Sequence, residues 1–229
     1  MDALWNALTR ISRIAILAGA SLLFVAAVIV TAEVIVRKAI PDTLILIQWL
    51  ASLLSLDISA GTDSVRLWVR DHLNFSGSDE ISGYLFAVGT SWSMAFVLVT
   101  RGHVRIDAVY GRLSARVRAT LDVVALVFLA IFVGAVLERA FDVSWTSLIE
   151  GNRSNTNLRI HFAWSQVPWC AGIALFFLTI IVAIIKTLGH LIRGEFAAVN
   201  TIAGAASQDE EIADELKGLG IETAHGSKK

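Results

Sequence analysis

The sequence predicts an all-α integral membrane protein: four transmembrane helices plus one or two amphipathic surface helices. Three observations carry that reading. Of the 229 residues, 55% are hydrophobic and 17% charged, with a mean hydropathy of +0.67, whereas soluble domains carry roughly 25% charged residues. The missing charge is concentrated in a few long uncharged runs, each close to the length of about 20 residues that crosses a bilayer. In hydrocarbon such runs fold as helices, because every backbone N–H and C=O needs an internal partner.

The first run extends from Ile14 to Ala32, with Glu33 near its end, and predicts a span at about 14–36. Val30, Thr31 and Ala32 resemble a signal-peptide cleavage site. The run is longer than the roughly 7–15 apolar residues of such a signal, which favours a retained span. The second run is Ile81 to Thr100, and the third is Ala119 to Leu137 with Asp122 in its first turn. The fourth begins at Phe162 and predicts a span at about 162–187. Pro168 lies near its start, where a first turn tolerates a missing N–H.

A fifth apolar run, Thr43 to Leu56, is too short to span. Gln48, Ser52, Ser55 and Ser59 recur along it at helical spacing, while Leu44, Ile45, Leu50, Leu53 and Leu54 lie off that stripe. This predicts a helix lying flat among the headgroups. A second short helix is predicted after Gly61, with Asp63, Arg66, Arg70 and Asn74 on one face and Val65, Trp68 and Val69 on another. Leu44, Trp49, Leu53 and Trp68 are the candidate lipid-facing residues of this 43–75 segment; the alternative is a loop whose helix packs on a neighbour. Residues 1–200 then form a four-helix membrane domain, and 201–229 a flexible cytoplasmic tail, acidic at Asp209, Glu210, Glu211, Asp214 and Glu215.

Orientation follows from lysine and arginine placement. The loop between the second and third spans carries Arg101, Arg105, Arg112, Arg116 and Arg118, and the same side gains Arg10, Arg13, Lys186 and Arg193. The opposite side carries Arg37, Lys38, Arg66, Arg70, Arg139, Arg153 and Arg159. The arginine density of the middle loop places both termini in the cytoplasm.

Several chemistries are disfavoured. A single cysteine, Cys170, forms neither an internal disulfide nor a CxxC site. Haem between helices needs axial ligands at depth, and His72, His103, His161, His190 and His225 all lie outside the middle of the predicted spans. No cofactor and no catalytic or metal site is expected. Glu33 and Asp122 fall near span ends, where a carboxylate snorkels to water. A complete secondary transporter would show repeats and broken helices; none is visible. A net charge of −1 and no basic arm disfavour nucleic-acid binding. Trp49, Trp68, Trp145, Trp164 and Trp169 lie near predicted boundaries, where indole favours the interface. Trp92 lies mid-span, either packing between helices or anchoring a subunit interface.

Arg101, Gly102, His103, Val104, Arg105, Ile106 and Asp107 follow the second span. This stretch resembles the Arg-Gly-His-Ile/Val-Arg-Val-Asp pattern of the DctQ-like small membrane subunit of tripartite ATP-independent periplasmic (TRAP) transporters. Val36 and Arg37 resemble the family's ending of the first span. Asp79, Glu80, Ile81, Ser82, Gly83 and Tyr84 resemble its entry to the second, and Gln166, Val167, Pro168 and Gly172 its entry to the fourth. The resemblance covers roughly residues 10–190. The link from Arg37 to Asp79 is longer than usual for the family, and His161 stands where proline is common.

The resemblance implies a non-catalytic small permease subunit of the bacterial inner membrane. It would scaffold a large multi-span subunit that carries the substrate and sodium sites. A periplasmic binding protein would deliver an organic anion, often a dicarboxylate, for symport driven by ion gradients. Candidate partner-interface residues are Glu80, Trp92, Arg101, Gly102, His103, Arg105 and Asp107. For Arg101 to Asp107 the alternative is a basic loop at lipid phosphates; for Glu80 it is a carboxylate favouring a helix N-terminus. The competing functions are an anchor or accessory subunit of a respiratory or other membrane enzyme complex, and a stand-alone scaffold or sensor.

Overall fold

The computed structural model describes residues 2–54, 57–72, 77–102, 113–156 and 158–204. All of its regular structure is helical: α1 (Asp2–Val34), a π-helical segment (Ile35–Ala39), α2 (Ile40–Leu53), α3 (Ser59–His72), α4 (Ser78–Val99), α5 (Ala115–Glu150), α6 (Ala163–Ile192) and α7 (Phe196–Ala203). Among the described residues the one β feature is an isolated antiparallel bridge between Arg153 and His161. Four helical stretches are long and apolar enough to cross a membrane: Asp2–Leu53, Ser78–Val99, Ala115–Glu150 and Ala163–Ile192. The chain is a multi-pass helical membrane protein.

Each predicted span coincides with helical structure to within one residue, and α1, α5 and α6 outrun their apolar runs. α5 has 36 residues, about 54 Å at the α-helical rise, against a hydrocarbon core of about 30 Å. Its last turns carry Glu138, Arg139 and Asp142, with Arg139 and Asp142 paired at 3.6 Å. Loss of apolarity ends a crossing without ending a helix. Pro168 lies inside α6, in the second turn rather than the first.

The first span and the expected surface helix are not separate elements. The helical run is continuous from Asp2 to Leu53, with α1 passing into α2 through the π-helical segment. Pro41 lies two residues after it, as the second residue of α2. Proline lacks the N–H that an α-ladder would take four residues back, and a wider turn accommodates such a gap. The polar stripe expected on α2 also differs. Gln48 is half-buried, on the same side as buried Ala51. Ile45, Leu46, Ile47, Trp49, Leu50 and Leu53 are exposed, an apolar arc of about 200° at 3.6 residues per turn.

Contacts divide the chain into two compact units. One comprises Ile16–Ser93 and Arg139–Gly172; the other comprises Met1–Ala15, Met94–Glu138 and Ile173–Lys229. In the second unit α7, which has no counterpart among the predicted elements, buries Val199 and Ala203. Val199 packs with Ala119 and Val123 of α5, flanked by Leu191 and Phe196. The Arg116 guanidinium sits 5.3 Å from the Phe196 ring centroid, a favourable cation–π distance. Residues 201–203, expected in the tail, are the last turn of α7; residues 205–229 lie outside the described residues.

Candidate functional site

Most of the candidate residues that can be placed belong to the unit formed by 16–93 and 139–172, where Glu80 and Trp92 each bond to other residues of that unit. α4 starts with Ser78, Asp79 and Glu80, and the two acidic side chains, Asp79 and Glu80, suit the positive end of the helix dipole. Ser78 Oγ donates to the Glu33 carboxylate. Arg37 Nη2 pairs with Glu33 Oε1 at 2.6 Å, and the Glu33 side chain is 10% exposed. Glu33 therefore does not snorkel to water as expected; a hydroxyl and a guanidinium hold it inside the protein. Asp122 departs in the same way: at 1% exposure it is a buried residue of α5.

Glu80 ties α4 to the segment before α6. Its Oε1 accepts from the Tyr84 hydroxyl at 2.5 Å, and its Oε2 from the Thr156 hydroxyl. Thr156 is fixed in turn, because its backbone N–H donates to Ser154 Oγ at 3.2 Å. Backbone bonds from Ser154 N to Ile160 O (2.9 Å) and from Phe162 N to Asn152 O (3.0 Å) close the segment. Both Glu80 oxygens are thus engaged within the chain.

Trp92 Nε1–H donates to the Pro168 carbonyl at 2.8 Å, a directional bond between α4 and α6. Nearby, a Cβ on Gly172 would collide with Ser91 and Trp92. On the other side of α4, a Cβ on Gly19 would lie 2.6 Å from the Gly89 carbonyl oxygen, and one on Gly89 would lie 2.8 Å from the Gly19 oxygen. α4 thus meets α1 and α6 through glycine contacts, as membrane helices do when backbones approach closely. Ser144 of α5 adds a bond to the Gln166 carbonyl at 3.0 Å.

Arg101 and Gly102 belong to the other unit, where they end α4. Arg101 adopts φ 57°. Its N–H bonds to Leu98 O at 3.2 Å, and the Gly102 N–H to Val97 O at 2.9 Å. This is a Schellman ending with arginine in the left-handed position that glycine usually takes. Arg101 also lines a small cavity with Trp5, Leu126, Ala183 and the end of α7. His103, Arg105 and Asp107 lie outside the described residues. In the same unit Lys186 pairs with Asp2 at 3.0 Å and sits 5.3 Å from the Trp5 ring centroid. Of the candidate lipid-facing residues, Trp49, Leu53 and Trp68 are exposed and Leu44 is half-buried.

Sequence reasoning missed the Glu33–Ser78 bond, the glycine contacts and α7. The only sequence signal for the first was an acidic residue at a span end. For α7 it was the apolar run Phe196 to Ala203 after Gly194. Among the described residues no three His, Cys, Asp or Glu side chains are grouped to hold a metal ion.

A family model described as "Tripartite ATP-independent periplasmic transporters, DctQ component" matches residues 65–190, more than half of the chain. Neither the curated proteins nor the solved structures contain a match to it.

Proposed function

The chain belongs to the DctQ component family of tripartite ATP-independent periplasmic transporters, and on that premise we propose that it is the small permease subunit that braces a large one during transport. The large subunit carries the substrate and coupling-ion sites. A periplasmic binding protein delivers an organic anion, a carboxylate by expectation, and an ion gradient such as sodium drives uptake.

One observation supports the bracing role most directly: polar side chains along the membrane-length helices donate to this chain's own backbone. Ser91 bonds to Val88 O at 2.9 Å, Thr179 to Leu175 O at 2.8 Å and Thr187 to Ala183 O at 2.8 Å. Trp92 and Ser144 bond across helices. Groups that spend their donors this way tie each helix to its own backbone or to a neighbouring helix and so fix helix positions. The broad apolar arc of α2 and exposed Trp68 on α3 support a second part of the reading, in which this pair is immersed at the membrane surface and widens the footprint of the brace.

The test is co-expression with a large TRAP permease subunit from the same source, followed by purification through a tag on this chain. The expected result is a stable complex that takes up an organic anion in proteoliposomes when binding protein and an ion gradient are both supplied. Removal of 43–75 lowers uptake and leaves membrane insertion intact. Purification without a large partner, or with a haem or quinone spectrum, overturns the reading in favour of an enzyme accessory subunit.

A further inference from the structure

The last turns of α5 and the start of α6, within the unit formed by 16–93 and 139–172, carry an outward strip of mixed chemistry. Ala140, Ser144 and Ser147 are the buried side of these α5 turns. Turned outward are Arg139 and Asp142, exposed and paired at 3.6 Å, and then Phe141, Trp145, Leu148 and Ile149, all exposed. The Phe141 and Trp145 rings stack with centroids 5.9 Å apart and planes 12° from parallel, which makes a flat apolar platform. Beside it Leu148, His161, Trp164, Val167 and Pro168 line a shallow depression of about 410 Å³, and Trp164 is exposed at its rim.

Neither lipid nor water suits this strip along its whole length. From Arg139 to Ile149 it runs about 15 Å at the α-helical rise. The headgroup layer on each side of the hydrocarbon is about 5–8 Å thick, and a helix at the usual tilt of about 20° crosses it in little more. That layer is where charges and exposed aromatic rings are tolerated together, and the strip is about twice as long. With Arg139 and Asp142 placed in the layer, Leu148 and Ile149 stand in water. With Leu148 and Ile149 placed in it, the ion pair sinks into hydrocarbon, where exposed charge is costly. A protein surface can match both ends, with apolar side chains against the platform and polar groups against the pair.

We infer that the large permease subunit seats on this strip, with one of its apolar side chains in the depression beside Trp164. The inference rests on the bracing role proposed above and locates its contact. An acyl chain would match the platform and not the ion pair; a headgroup would match the pair and not the platform. A soluble partner would leave uncovered the Arg139 end, which follows directly on the apolar run ending at Leu137. A partner that is itself in the membrane reaches both ends.

The test uses the full chain co-expressed with the large subunit. A photo-crosslinking amino acid placed at position 148 or 149 should crosslink to the large subunit, which reads the contact even where a tryptophan variant does not accumulate. Trp145→Ala and Trp164→Ala remove side chains that are exposed in this chain. Its membrane level should therefore hold, while the co-purified large subunit falls about tenfold, equivalent to about 1.4 kcal/mol. Trp145→Phe keeps a ring on the platform and should recover most of that loss. Arg139→Asp should cost less, and its effect should shrink at high salt. Wild-type co-purification with both tryptophan-to-alanine variants overturns the strip as the contact and leaves the bracing role standing. So do crosslinks from 148 and 149 that reach only lipid, a second copy of this chain or the binding protein. Failure of the unaltered chain to bring down any large subunit overturns both.

Discussion

In the unit formed by 16–93 and 139–172 the helices meet backbone to backbone, whereas in the unit formed by 1–15, 94–138 and 173–229 they meet through side chains. The first has Gly19 against Gly89 and Gly172 against Ser91, with directional bonds at Glu33, Glu80 and Trp92. The second has the Ala119–Val123–Val199 cluster, Lys186 shared between Asp2 and Trp5, and Gly134 opposite the Phe177 ring. Backbone contacts hold one geometry, because a carbonyl cannot step aside. Side-chain contacts adapt by a rotamer or a few tenths of an ångström. The same substitution should therefore cost very different amounts in the two units.

The glycines test this most severely. In Gly89→Ala the new Cβ would lie 2.8 Å from Gly19 O and 2.9 Å from Leu23 Cγ. Overpacking against a fixed backbone costs about 3 kcal/mol, so the purified protein should lose thermal stability in detergent or fail to fold. In Gly134→Ala the Cβ would lie 3.2 Å from the edge of the Phe177 ring, which can shift. The gain in helix propensity of about 1 kcal/mol offsets that crowding, and the melting temperature should barely move. Equal losses in both variants would erase the distinction between the units.

Next in size is Glu33. Glu33→Ala leaves the Ser78 hydroxyl and the Arg37 guanidinium without their acceptor at a site where the carboxylate is 10% exposed. Leaving a buried polar group unsatisfied costs about 1–3 kcal/mol. Glu33→Gln keeps an acceptor for Ser78 and gives up the ion pair, so it should recover part of the loss. Identical melting temperatures for the wild type and the alanine variant would show that the bond adds nothing and that Gly19 and Gly89 alone hold α1 on α4.

What the sequence revealed follows the same division. Apolar runs report depth in a membrane, so Ile14 to Ala32, Ile81 to Val99, Ala119 to Leu137 and the run after Phe162 all fall in helices. They do not report where a helix ends. Charged α5 residues such as Glu138 and Asp142 stay helical because they face out at the helix end. The flat-helix reading of Thr43 to Leu56 relied on a stripe, of which Gln48 is half-buried on the side of buried Ala51 whereas Ser52 is exposed. Gly19 and Gly89 are 70 positions apart, and no local pattern announces that they touch. Glu33 lies near a span end, where water would be the usual partner, and Ser78 takes water's place. Of the motif residues, Arg101 and Gly102 form a helix ending that an Arg-Gly pair suggests in reverse order, with glycine expected in the left-handed position.

The smallest effect separates burial from directionality. Asp57, in the same unit as Glu33, also makes directional bonds: its Oδ1 accepts from Ser59 N at 3.1 Å and from Ser59 Oγ at 2.6 Å. It thereby satisfies one of the first free N–H groups of α3. These bonds hold the Asp57 carboxyl below its ordinary range, yet the residue is exposed. A carboxyl whose pKa is lowered on folding stabilises fully above its unfolded value of about 3.9, and that contribution is lost as pH falls through the lower folded value. Between pH 5 and 8 the start of α3 should therefore be indifferent to pH. In detergent micelles the Ser59 amide resonance should titrate below 3.9, and Asp57→Asn should abolish the titration with little change in melting temperature. A titration at or above the unfolded value would mean that the bonds do not form. A large thermal loss in Asp57→Asn would mean that direction alone, without burial, accounts for the rigidity of this unit.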